Sequence, residues 1–140
     1  MQPLSAEAVQ TAVDRALQED IGSGDATTLA TVPSDSVSAA SMVARQKMVV
    51  CGLPLAEAAF RSLAAELKIT PGAADGDPIE AGRELLRIEG PTRAILTGER
   101  TALNFIQRLS GVATLTANYV DAIAGTTTQI LDTRKTTPGW

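Results

Sequence analysis

The chain has 140 residues and a mass of 14.5 kDa, one domain's worth of protein, and its 44% apolar and 20% charged residues are ordinary globular proportions. Twelve basic and sixteen acidic residues leave a net charge of −4 and a pI near 4.8, which speaks against a nucleic-acid module with its basic field. A single cysteine, Cys51, excludes an intrachain disulfide and a multi-cysteine zinc site, and the absence of histidine removes His-dependent triads and ligands, so Arg, Lys, Asp, Glu and Thr must carry any chemistry.

The chain opens Met1-Gln2-Pro3-Leu4-Ser5 with no basic segment before an apolar run, so no signal peptide is expected and the cytoplasm is the expected location. Residues 3–20 read as an amphipathic helix: Val9, Ala12, Val13, Ala16 and Leu17 recur at helical spacing, Glu7 lies in the first turn and Gly22 ends it. Ile21 to Thr28 carries two glycines, but it lacks the Gly-Lys-Ser/Thr ending and the preceding strand of a phosphate loop, so a helix cap followed by a turn is expected. Glu19, Asp20 and Asp25 lack the spacing of a calcium loop and read as a solvated helix end.

Val37 to Ala44 reads as a strand, and Met48 to Cys51 as a short apolar run that would form a hairpin or meander with it. Cys51 itself reads as a small buried hydrophobe. Pro54 stands where a helix would begin, and Leu55, Ala58, Ala59, Leu63 and Leu67 supply its apolar stripe to about Glu66. In residues 74–90 turn residues alternate with β-like runs, Ile79 to Ala81 and Leu85 to Glu89, which predicts hairpin structure. A lipoyl-type module would need a lysine at the hairpin tip, and this segment has none. From Pro91 the helical pattern returns, with Gly111 expected to divide it into helices over 91–109 and 112–124. Gln129 to Thr133 reads as a short strand leading into Arg134-Lys135-Thr136-Thr137-Pro138-Gly139. No run approaches the ~18 apolar residues of a membrane span. The predicted class is α+β, a sheet domain followed by the start of a second unit.

Two constellations could carry chemistry. Along the helix from Pro91, Ile95, Leu96, Ala102, Leu103, Ile106 and Leu109 fall on one broad face, with Glu99 inside it, where a carboxylate must be paired. Arg93, Arg100, Asn104 and Gln107 form a polar stripe beside that face; it reads either as a solvated surface or, through Arg100, Asn104 and Gln107, as a convergent patch. The second constellation is Thr133, Arg134 and Lys135, adjacent cations flanked by hydroxyls just after an apolar strand. It reads either as a polar turn or as an anion site at the C-terminal end of a barrel strand.

Three segments carry a family resemblance: Leu17 to Thr28, Gly98 to Thr114 and Leu131 to Gly139 resemble, in order and spacing, the motifs of quinolinate phosphoribosyltransferases. The resemblance implies transfer of phosphoribosyl from phosphoribosyl pyrophosphate to quinolinate, with magnesium and loss of carbon dioxide, giving nicotinate mononucleotide for NAD synthesis. It also implies an N-terminal α/β sandwich domain, here residues 1–110, followed over 111–140 by the first helices and first strand of an incomplete, TIM-like α/β barrel. It implies a homodimer in which Arg100 reaches the partner's site to hold quinolinate. Thr133, Arg134 and Lys135 match substrate-site residues, Arg134 at the quinolinate carboxylate and Lys135 as the catalytic cation near substrate or donor. The family's chains run to about twice this length, and its remaining site residues, including the magnesium-handling acids, fall beyond residue 140, where a truncated site is expected to be inactive. Trp140 stands where the family has an aliphatic residue followed by arginine. Two other readings stay open: a molybdenum-associated pyrophosphorylase homologue of the same superfamily, and a non-catalytic dimerisation fragment.

Overall fold

The computed structural model describes residues 4–133 and 135–136. Helix α1 spans Ala6–Ile21; the Ser5 hydroxyl accepts from the Ala8 amide at 3.2 Å, satisfying one of the first-turn donors that a helix cannot pair internally. Gly22 closes it at φ 53°, its amide reaching the Gln18 carbonyl at 3.2 Å. The expected helix cap is present, but the turn is shorter than the expected Ile21 to Thr28, because Asp25 caps a six-residue helix, α2, over Ala26–Thr31.

Next come strand β1 (Val37–Val43), strand β2 (Met48–Val49), helix α3 (Leu53–Leu63) and strands β3 (Lys68–Pro71), β4 (Pro78–Ile79) and β5 (Glu84–Pro91). One antiparallel sheet has the order β1-β5-β3, and a small second sheet pairs β2 with β4. This corrects the hairpin expectations: β2 does not pair with β1, nor β4 with β5. Both apolar runs behave as strands, but each finds its partner across the domain, because a short strand pairs where its buried side chain can join the core. Thus Ile79 is buried opposite Met48, while Leu85, Leu86 and Ile88 line the central strand β5. Helix α3 also ends earlier than expected, at Leu63. Leu67 is buried in the connection to β3, a strand the periodicity did not reveal, since core burial of one Leu looks the same in a helical stripe or in a loop.

Helix α4 runs unbroken over Thr92–Ala122, about 46 Å at 1.5 Å per residue. The expected division at Gly111 does not occur. A Cβ placed there would meet nothing within 4 Å, so Gly111 lies on an open face where the helix can continue at a modest entropic cost. The N-terminal half packs on α3, which approaches closely because Gly98 offers no side chain: a Cβ there would stand 2.9 Å from a Phe60 ring carbon and 3.0 Å from a Leu63 methyl. The core joins α1 (Val13, Leu17), α3 (Leu53, Leu55, Ala56, Ala59, Phe60), α4 (Ile95, Ala102, Phe105, Ile106) and the sheet.

The strand expected over Gln129 to Thr133 is absent; these residues are coil and exposed, with Leu131 at 80% exposure. A strand requires a neighbouring ladder for its amides and carbonyls, and no described segment offers one. Among the described residues no helix is long and apolar enough to cross a membrane. The chain is therefore of mixed helix-and-sheet, α+β architecture.

Candidate functional site

The glycine-containing loop after α1 docks on the first turns of α4. Asp25 is the hinge of that contact: one carboxylate oxygen accepts from the Thr28 amide at 3.0 Å, capping α2, and the other accepts from the Thr97 hydroxyl at 3.1 Å. These hydrogen bonds, those from Thr28 foremost, hold the Asp25 carboxyl below its ordinary range, with the charge of Arg100 adding in the same direction. On the other side of α2, Arg93 donates from Nε to the Val32 carbonyl at 2.9 Å and from Nη2 to that of Leu29 at 3.3 Å. Arg93 therefore clamps the end of α2 to α4, and its role in this fold is structural.

Arg100 lies one turn beyond Thr97. Its Nη1 donates to the Asp20 carboxylate at 3.0 Å, while the side chain stays 76% exposed. Asp20, 22% exposed, also receives the buried Thr101 hydroxyl at 3.5 Å. Thr97, Arg100 and Thr101 are spaced i, i+3, i+4, so one face of α4 meets both carboxylates of the loop. Asn104 and Gln107 continue the stripe and are exposed.

Glu99 is exposed as well, which corrects its expected place inside the apolar face. The buried arc centres on Gly98, Ala102 and Phe105, and the edge carrying Leu96 and Glu99 turns outward, so no desolvation arises there. Glu99 borders an open groove of about 570 Å³ with Ser41, Arg45, Gly82 and Leu103.

Of the C-terminal constellation, Thr133 and Lys135 are exposed, and the Lys135 amide donates to the Thr133 hydroxyl at 3.2 Å. Arg134 lies outside the described residues. Among the described residues no hydrogen bond or ion pair joins Arg100 to Thr133 or Lys135, so the two constellations stand as separate elements. Cys51 is partly buried, and burial pushes its thiol pKa up, opposite to what a nucleophile requires. Among the described residues no group of three or more Cys, Asp or Glu is placed to hold a metal ion.

Sequence reasoning missed Asp20 and Asp25, which read as solvent-facing acids. For Asp20 the available signal was electrostatic, since an acid in the last turn of a helix opposes its macrodipole; for Asp25 it was the preference of Asp for a helix N-cap.

This fold, an α+β domain whose capped loop braces an outward arginine on one long helix, is shared with the matching half of solved nicotinate-nucleotide pyrophosphorylases. The model of the quinolinate phosphoribosyl transferase N-terminal domain matches residues 25–110, more than half the chain, and that of the C-terminal domain matches residues 112–140. The chain belongs to the quinolinate phosphoribosyltransferase family.

It is 41% identical over 128 residues to quinolinate phosphoribosyltransferase [decarboxylating] 1b of Nicotiana tabacum, covering 91% of this chain and 36% of that protein. It is 39% identical over 136 residues to the nicotinate-nucleotide pyrophosphorylase [carboxylating] of Mycobacterium leprae, covering 95% and 48%. Among solved structures, the nicotinate-nucleotide pyrophosphorylase from Francisella tularensis superposes with a TM-score of 0.91 at 37% identity, covering 98% of this chain and 49% of that one. The chain thus spans between a third and a half of the length of these relatives.

Proposed function

We propose that this chain contributes to phosphoribosyl transfer from phosphoribosyl pyrophosphate to quinolinate, with decarboxylation to nicotinate mononucleotide in NAD synthesis. The observation that carries this reading is Arg100, which projects from a rigid helix with most of its guanidinium open to solvent, on a chain of this family. An arginine fork suits a carboxylate geometrically, and quinolinate carries two. Thr133, Arg134 and Lys135 supply the second cationic group, with Lys135 as the catalytic cation. As the bond from the anomeric carbon to pyrophosphate breaks, charge builds on the leaving group and on the sugar. Positioned cations and aligned substrates lower that barrier without a nucleophilic side chain. That chemistry is compatible with a chain lacking histidine.

In this reading residues 1–110 form the sandwich domain and 111–140 open a barrel-type unit, and the protein works as a cytoplasmic homodimer in which Arg100 serves the partner's site. Magnesium accompanies the donor pyrophosphate; the described residues of this chain do not themselves form a metal site.

The test is twofold. The 140 residues are expected to bind quinolinate weakly and to form no nicotinate mononucleotide. Arg100→Ala is expected to abolish the quinolinate heat in titration calorimetry while leaving the circular dichroism spectrum intact. Turnover by the chain alone, or unchanged quinolinate binding by Arg100→Ala, overturns the reading.

A further inference from the structure

We propose that Asp20 is a positioning residue for Arg100, holding one nitrogen of its guanidinium so that the remaining donors face an incoming dicarboxylate. This rests on the reading of Arg100 as the carboxylate receptor. An arginine side chain has four rotatable bonds, and an exposed one pays rotamer entropy each time it is fixed on a ligand. Here that freedom is already curtailed. Nη1 is engaged by Asp20 at 3.0 Å, and among the described residues no acceptor takes Nε or Nη2. The pairing is therefore single-pronged: it orients the fork without occupying the edge that recognises a carboxylate.

Asp20 is suited to this role by its own restraints. It lies in the last turn of α1, whose other residues are fixed by Val13 and Leu17 in the core. Its second oxygen is met by the Thr101 hydroxyl, from the residue next to Arg100 on α4. The carbonyl end of a helix is an unfavourable place for a carboxylate, and its approach to Arg100 offsets that repulsion. The loop after α1 is tied down a second time where Asp25, the N-cap of α2, accepts from Thr97, so two carboxylates rather than one hold it to α4.

The experiment uses the 140-residue chain with ¹⁵N-labelled arginine and follows the Arg100 Nε–Hε resonance by NMR, first alone and then during titration with quinolinate. Asp20→Asn is expected to lower the order of the Arg100 guanidinium in the free chain and to weaken quinolinate binding roughly fivefold, the scale of an exposed ion pair. Asp20→Glu, which keeps the charge, is expected to recover most of both. Should Asp20→Asn fail to fold, the Asp20→Glu and Thr101→Val variants provide the comparison, each with a smaller loss of order. Unchanged order and affinity in Asp20→Asn overturn the proposal, and tighter binding overturns it too, since Asp20 would then be a competitor. Arg100→Ala that still binds quinolinate as well as the parent overturns the underlying reading of Arg100. A titration that moves the Arg100 resonance in none of these proteins overturns both.

Discussion

Asp25 accepts from the Thr28 amide and the Thr97 hydroxyl, and so ties a six-residue helix to a long one. Because its carboxyl is held below the ordinary value of 3.8, the folded state favours the charged form more than the unfolded state does. Its stabilising effect is therefore present above the ordinary value and lost as pH falls through the lower, folded one. Asp25→Ala is expected to be less stable than the parent at neutral pH, with the gap closing below pH 3.8; urea denaturation at both ends of that range checks it. Arg100 was legible as a helix-surface cation because its motif carries helical spacing. Its carboxylate partner was not, since Asp20 lies 80 residues away in sequence and no local pattern reports which surface a helix end will meet.

Within α4, two glycines have opposite consequences. Gly98 sits under Phe60 and Leu63, both on α3, so Gly98→Ala forces side chains apart in a packed contact and is expected to destabilise by about 1–3 kcal/mol. Gly111 faces open space inside a continuous helix, so Gly111→Ala is expected to stabilise by about 0.5–1 kcal/mol. Paired thermal melts followed at 222 nm would show the midpoint moving down for one and up for the other. The same composition signal, a lone glycine in a helical pattern, cannot separate these cases. The difference is whether another element covers that face. Elsewhere in the helix, the Thr114 hydroxyl accepts from the Val49 amide of β2, and the Ser110 hydroxyl pairs with the Cys51 amide and carbonyl just beyond that strand. Gly52, which cannot cap α3 with a side chain, is relieved by Asp75, whose two oxygens accept from the Gly52 and Leu53 amides at 2.9 Å each. Such long-range caps have no sequence signature, although the strands and helices they serve were largely predictable from apolar spacing.

Across the whole molecule, burial is concentrated on the side of α4 before Ser110. Beyond it Val112, Leu115, Tyr119 and Val120 are exposed, as are Ile130 and Leu131. Clustered apolar exposure of this kind drives association. The chain is expected to self-associate with rising concentration in sedimentation velocity, and a Val112→Lys, Leu115→Lys double variant to sediment closer to the monomer with unchanged helix content. A monodisperse parent monomer at high concentration would contradict this.

By itself the sequence determined where α1, β1, α3, β5 and α4 lie, because apolar period and capping residues are local properties, but it did not reveal α2 or β3. It also determined, through its motifs, the family to which the chain belongs. Only the tertiary structure decided that β2 pairs with β4 and β1 with β5, that Gly111 leaves α4 whole, and that Gln129 to Thr133 stays coil. It alone decided that Asp20 meets Arg100. Strand pairing, helix continuity and ion pairing each depend on what the rest of the chain brings alongside, and a one-dimensional pattern carries no record of that neighbour.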